Sequence, residues 1–205
     1  MQAAERLFRH YGPAKTTMAE IARASGVGVG SLYLDFTSKD AILEELGTAR
    51  VRRVAERMRE AGAGECSARE RLVKMLEARV VALFDVADEG RHACDLLRCH
   101  NGQAPGAVGE QETSARAGES PAGASIGFGA PERELLLEAL AEVVGRGDGG
   151  LGAERALHLL EIAFAALTPP QLYRLDRQTA LVLASGLARA AVYGLGALSE
   201  PSSST

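Results

Sequence analysis

An all-α fold is predicted, and three observations predict it. Ala, Leu, Val, Glu and Arg dominate a chain that has no tryptophan and only 4% aromatic residues, a composition that favours helix. Every long apolar pattern repeats at three to four residues rather than two. No segment alternates convincingly enough to read as a strand. With 205 residues and 46% apolar content, the chain can bury one good core or two small ones. Charged residues are 24% and the net charge is −4, ordinary for a soluble globular protein and not basic overall. No run approaches the roughly 18 to 20 apolar residues of a membrane span, so no membrane partner is expected. The segment "MQAAERLFRHYG" is amphipathic and lacks the layout of a secretory signal. Three cysteines without a framework spacing point to a reducing cytoplasm.

The elements follow in order. Ala4, Leu7, Phe8 and Tyr11 share one helical face, and Gly12-Pro13 stops that helix. Thr16-Thr17 offers a capping hydroxyl for a helix of about two turns, Met18 to Ser25, which Gly26 ends in the left-handed conformation. A second short helix runs from about Gly28 to Phe36. Thr37 or Ser38 caps a long helix to about Glu60, with Asp40 in its first turn and Ile42, Leu46, Val54 and Met58 on its apolar face. Its basic stretch "RVRRVAERMR" is read as a solvated surface. Another helix spans Ser67 or Ala68 to Val86 and carries Leu72, Met75, Leu76, Val80, Leu83 and Phe84. A shorter helix is expected over about 88–99. Residues 100–130, rich in Gly, Ala, Ser, Pro and Glu, read as a flexible loop. Helices resume at Pro131, at Glu154 and after the capping Asp176, and residues 199–205 read as a disordered tail.

Gly26, Gly28 and Gly30 form a glycine-rich stretch that admits two readings. A dinucleotide loop needs a strand before it and a glycine at the sixth position; here a helix precedes it and Ser31 stands at that place. No lysine is present for a Walker-type loop. The turn reading explains each residue. Ile21 and Ala22 face inward, Val27 plugs the corner, and Leu32 and Phe36 face the same core from the second helix. Gly28, Val29, Gly30, Ser31, Tyr33 and Leu34 are left outside. A second helix with small residues on an exposed first turn can enter a major groove end-on.

The stretch "LFRHYGPAKTTMAEIARASGVGVGSLYLDFTSKDAIL", residues 7–43, resembles the DNA-binding domain of TetR/AcrR-type transcriptional regulators. The resemblance rests on Leu7-Phe8, Gly12, Thr16-Thr17, Ile21-Ala22, Gly26-Val27, Leu32-Tyr33, Phe36 and Lys39. It implies that Thr17, Tyr33 and Lys39 meet phosphates, and that Gly28, Val29, Gly30 and Ser31 face the groove. Leu34, with Val29, can touch thymine methyls, while no Arg, Asn or Gln is there for bidentate base pairing. Shape readout then carries part of the specificity. Two features depart from the family. Asp35 stands where DNA-compatible residues are common, and the basic arm that often precedes the first helix is missing, the chain opening almost inside that helix. Five cations against four carboxylates leave residues 1–40 at +1, so weak non-specific binding is expected.

The resemblance further implies a dimer on a palindromic operator, most simply a repressor, released by an unknown small-molecule effector. Met58, Met75, Phe84, His92 and Phe164 are candidates to line the effector pocket. Ala180, Ala184, Ala188 and Ala191 form a small-residue face on the last helix. It is either the middle of its own core or, as expected here, a subunit seam. His92, Cys94, Cys99 and His100 match no standard zinc spacing, so no metal, cofactor or catalytic residue is expected. The expected domains are a DNA-binding head over 1–46 and a helical effector and dimerisation domain over 47–198. Two other readings stay open: a chain with a degraded head serving as a ligand- or protein-binding module, and a small nucleotide-binding enzyme.

Overall fold

In a computed structural model of the chain, residues 1–88, 127–144, 152–169 and 171–199 are described. The fold is all-α, and no strand occurs among these residues. The helices are α1 (Gln2–Tyr11), α2 (Met18–Ser25), α3 (Val29–Asp35), α4 (Lys39–Gly62), α5 (Ala68–Asp88), α6 (Ala130–Val144), α7 (Ala153–Ala163) and α8 (Arg177–Ser199). Two short 3-10 turns, Ala165–Leu167 and Gln171–Arg174, lie between α7 and α8. The helix expected over 88–99, the loop expected over 100–130 and the tail expected over 199–205 lie outside the described residues, apart from their ends. No described helix is long and apolar enough to cross a membrane. The described residues divide into two compact units, 1–50 with 86–88 and 51–85 with 127–199, and the division falls inside α4.

In the first unit, the residues that share helical faces in the sequence meet in one core, except Tyr11, which ends α1 and stands 54% exposed. Ala4 and Phe8 of α1, Met18, Ile21 and Ala22 of α2, Leu32 of α3, and Ile42, Leu43 and Leu46 of α4 are buried together, with Leu7 and Phe36 packed against them. Local signals set the ends of α2. Thr17 and Glu20 form a reciprocal capping box. Gly26 closes the helix at φ 70°, a left-handed conformation that glycine adopts without strain. The backbone N–H of Val27 then donates to the Ala22 carbonyl at 3.0 Å. The side chain of Val27 does not plug the corner as expected; it is 45% exposed. The tight turn engages the Val27 backbone in ending α2 and leaves its side chain outside the core formed by Ile21, Ala22 and Leu32.

The expected solvated surface of "RVRRVAERMR" is corrected at Arg50. Its side chain is fully buried, and Nη2 reaches Glu5 Oε1 of α1 at 3.0 Å. Arg50 lies seven residues after Leu43 and four after Leu46, on the stripe that turns into the core, so position outweighs charge. At the other end of this part of α4, Lys39 Nζ donates to the Pro13 carbonyl at 2.7 Å. The start of α4 is thereby tied to the turn that precedes α2.

The second unit has a larger apolar interior, with Met58, Leu72, Leu76, Val80, Leu136, Leu140, Leu157, Leu160 and Phe164 all buried. A charged pair sits inside it. Arg79 Nε lies 2.9 Å from Glu132 Oε1, and both side chains are almost wholly buried. The guanidinium also donates to the Leu167 carbonyl at 3.2 Å and the Gly127 carbonyl at 3.4 Å, and its carbon lies 4.7 Å from the centre of the Phe128 ring. Glu132 in turn accepts from the Gly129 backbone N–H at the start of α6. Each polar atom in the pair therefore has a partner, which is the condition for burying charge.

Candidate nucleic-acid interface

The face around α3 is built by what surrounds it. Leu32 anchors the helix inward, and the residues one and two positions away are turned to solvent. Gly30 and Leu34, four apart, lie on one outward stripe of α3. Leu34 is 88% exposed, and Val29 and Tyr33 are also exposed. Gly28, Gly30 and Ser31 are exposed beside them. A Cβ placed on Gly30 would meet nothing within 4 Å, and one on Gly28 would meet only Ser31 Oγ at 3.8 Å. Neither glycine is required by packing within the chain. Gly28 precedes α3 in extended backbone, at φ −68° and ψ 146°.

The phosphate-contact residues expected from the resemblance are placed as follows. Tyr33 is half exposed, and its hydroxyl has no partner among the described residues. Thr17 is exposed at the start of α2, with its hydroxyl donating to Glu20 Oε2 at 2.8 Å. The Thr17 backbone N–H donates to the same oxygen at 2.8 Å and holds the Glu20 carboxyl below its usual range. Thr17 is therefore already engaged as a cap, and its hydroxyl has only lone pairs to spare. Lys39 is partly buried on the Pro13 carbonyl. An ammonium carries three donors, so this bond leaves two. Asp35, the last residue of α3, is exposed and so points away from the core.

The effector candidates separate. Met58, Phe84 and Phe164 are packed into the interior of the second unit. Met75 lines a cavity of about 350 Å³ with Arg59, Gly62, Arg71, Glu138 and Glu142. Arg71 closes on Glu142 across its edge, Nη1 to Oε2 at 2.8 Å. His92, with Cys94, Cys99 and His100, lies outside the described residues.

The small-residue face of α8 lies mostly inside the chain. Ala180, Ala184 and Ala188 have no exposed surface within the single chain. They let α8 pack closely in its own core, the alternative left open above, and have nothing left to bury against a partner. Ala191 is partly exposed and lines a surface groove of about 400 Å³ with Leu159, Leu160, Ala190, Gly194 and Leu195. Leu159, at this groove, and Ile162 of α7 and Val182, Leu183 and Tyr193 of α8 are exposed apolar residues. From the sequence, the alanine face of α8 is expected at a subunit seam because small-residue spacing is visible there.

A three-helix head whose second and third helices are joined by a glycine turn, with an exposed reading helix, defines a helix-turn-helix regulator head on an all-helical chain. Residues 1–46 match the family model described as bacterial regulatory proteins, tetR family, so the resemblance read from residues 7–43 holds. Among solved structures, the chain is similar to the fatty acid degradation regulator FadR from Bacillus halodurans at 17% identity and TM-score 0.55, over 94% of this chain and 92% of that one. A protein of Pseudomonas aeruginosa PAO1 aligns at 16% identity and TM-score 0.49, over 96% and 89%. The TetR family transcriptional regulator PfmR from Thermus thermophilus aligns at 17% identity and TM-score 0.39, over 97% of each chain. No curated protein matches the chain in sequence. Residues 1–46 thus carry a tetR-family DNA-binding head, and the chain as a whole shares an all-helical fold with the Bacillus halodurans protein.

Proposed function

We propose that this protein is a DNA-binding transcriptional regulator that binds a palindromic operator as a homodimer and is released from it by a small molecule. The observation that carries the reading is the outward face of α3. It is stripped to Gly28, Gly30 and Ser31 at its start, with no packing reason for either glycine. Gly28 is the N-cap of α3, where glycine is at home, but Gly30 lies within the helix, where glycine costs up to about 0.5–1 kcal/mol relative to alanine. Close approach of a major groove is the use that fits that cost. Tyr33 and Lys39 serve as phosphate contacts around this face, Thr17 joins them only by giving up a donor now held by Glu20, and Val29, Ser31 and Leu34 serve as groove contacts. The head occupies residues 1–46 and the effector and dimerisation domain residues 47–198.

The dimer forms through the outward faces of α7 and α8, where Leu159, Ile162, Val182, Leu183 and Tyr193 leave apolar surface in water. The effector acts by population shift, binding better to the state that releases DNA. The repressor role follows as the simplest output of such a state change: an operator is occupied until the effector arrives. The cavity beside Met75, with two arginines and two glutamates on its walls, is where effector binding is assigned.

The test is selection of duplexes from random DNA, followed by a fluorescence-anisotropy salt titration of the parent and Lys39→Ala on the selected and a scrambled duplex. Each lost phosphate contact flattens the slope of log K against log salt by about 0.9, so the dimer loses roughly 2. The affinity for both duplexes falls together, since phosphate contacts carry little sequence information. An unchanged slope removes Lys39 from the interface. Failure to select any duplex removes the DNA-binding reading and leaves the ligand- or protein-binding module in its place.

A further inference from the structure

The outward stripe of α3 carries chemistry narrower than DNA binding in general. The groove-facing residues Val29, Gly30, Ser31 and Leu34 include a single short hydrogen-bonding side chain, that of Ser31. Leu34 stands 88% exposed on the stripe it shares with Gly30, the most exposed large apolar residue in the described chain. A lone exposed leucine is ordinary on a protein surface. This one stands beside an open notch. Nothing lies within 4 Å of where a Gly30 Cβ would be. With no side chain at Gly30, the α3 backbone can come close to base edges, and Leu34 projects one turn further along the same line. Val27 and Val29 add apolar surface at the preceding turn.

In the major groove, each base pair shows a distinct edge, and only thymine shows an apolar group, its C5-methyl. A leucine cannot pair with N7, O6, N6 or N4, and placing it against those atoms desolvates them without replacement. We infer that Leu34 reads the 5-methyl group of one thymine in each operator half-site, so that this position is specified by apolar contact and by the cost of burying any other base edge. This inference rests on the DNA-binding reading above and narrows it from a groove to a base and an atom.

The experiment uses the full chain and a duplex selected by it from random DNA. Each thymidine of the half-site is replaced in turn by deoxyuridine, which removes the methyl and leaves pairing and the O4 acceptor unchanged. Affinity is read by fluorescence anisotropy at fixed salt. Loss of one buried methyl corresponds to about a fourfold loss of affinity, and replacement at the two symmetric positions to about fifteenfold. The loss is confined to one position per half-site. Leu34→Ala, whose side chain contributes nothing to the head's core, binds the thymidine duplex more weakly by a similar factor and is indifferent to deoxyuridine at that position. Parent protein that binds every deoxyuridine duplex as tightly as the thymidine duplex overturns the inference while leaving DNA binding intact. So does Leu34→Ala that keeps the parent's full sensitivity to deoxyuridine. A chain that selects no duplex at all overturns both the inference and the reading beneath it.

Discussion

Gly30→Ala separates what α3 does for the fold from what it does for DNA. The substitution adds one methyl group at the second residue of the helix. No heavy atom lies within 4 Å of the new Cβ, and the backbone there is ordinary helix, so neither clash nor strain opposes it. Alanine is favoured over glycine in a helix by about 0.5–1 kcal/mol, partly because the unfolded chain loses freedom. The head therefore becomes more stable by that amount, two- to fivefold in its folding equilibrium. The same methyl fills the notch through which α3 approaches base edges. Forcing extra volume into a closely packed contact costs about 1–3 kcal/mol per site. A dimer makes the contact twice, so even the lower figure weakens the operator complex by about thirtyfold. Urea unfolding followed by circular dichroism reads the first effect, and anisotropy on the selected duplex reads the second. A variant that is more stable and binds as tightly as the parent refutes the close approach. A variant that is less stable refutes the reading of Gly30 as free of packing constraint.

Three further outcomes are expected. Ala188→Arg places an unpaired charge where the parent side chain has no exposed surface, so it costs several kcal/mol and yields unfolded or aggregated protein. Val182→Glu, on the outward face, gives a folded monomer by sedimentation; a dimer as tight as the parent's refutes the α7–α8 interface. Glu132→Ala leaves Arg79 buried without its carboxylate and destabilises the second unit by about 3–5 kcal/mol in urea unfolding. A midpoint within the scatter of surface variants shows that the pair is not closed to water. Acid stability follows the caps. The Thr17 backbone N–H lowers the Glu20 pKa, the Ser67 backbone N–H lowers that of Glu70, and the Thr179 hydroxyl lowers that of Asp176. A carboxyl whose folded pKa lies below its unfolded one stabilises the fold above the unfolded value and loses that contribution as pH falls through the folded one. The unfolding midpoint therefore declines on acidification below the ordinary carboxylate range, and Glu20→Gln has a shallower decline. A variant profile parallel to the parent's shows that the Thr17–Glu20 box does not titrate with folding.

The helices were legible in the sequence because their signals are local. Thr17 with Glu20, Ser67 with Glu70 and Asp176 before Thr179 cap α2, α5 and α8 through bonds that span three residues. Gly26 ends α2 for a reason that needs only its own φ. The outward face of α3 was legible for the same reason, since on a helix that buries Leu32 the residues at Gly30 and Leu34 must turn away from it. Tertiary packing decided what the pattern left ambiguous. An alanine face looks alike whether it meets its own chain or a partner, and only the assembled interior put Ala180, Ala184 and Ala188 inside. Charge misleads in the same way. Arg50 and Arg79 sit on apolar stripes, but whether a buried guanidinium is tolerable depends on partners far along the chain: Glu5 for one, and Glu132, Gly127 and Leu167 for the other. Lys39 is engaged by the Pro13 carbonyl, 26 residues earlier in the chain. Helix caps and faces are decided within a few residues of chain; the burial of a charge or of a small-residue face is decided by contacts that exist only once the helices have packed.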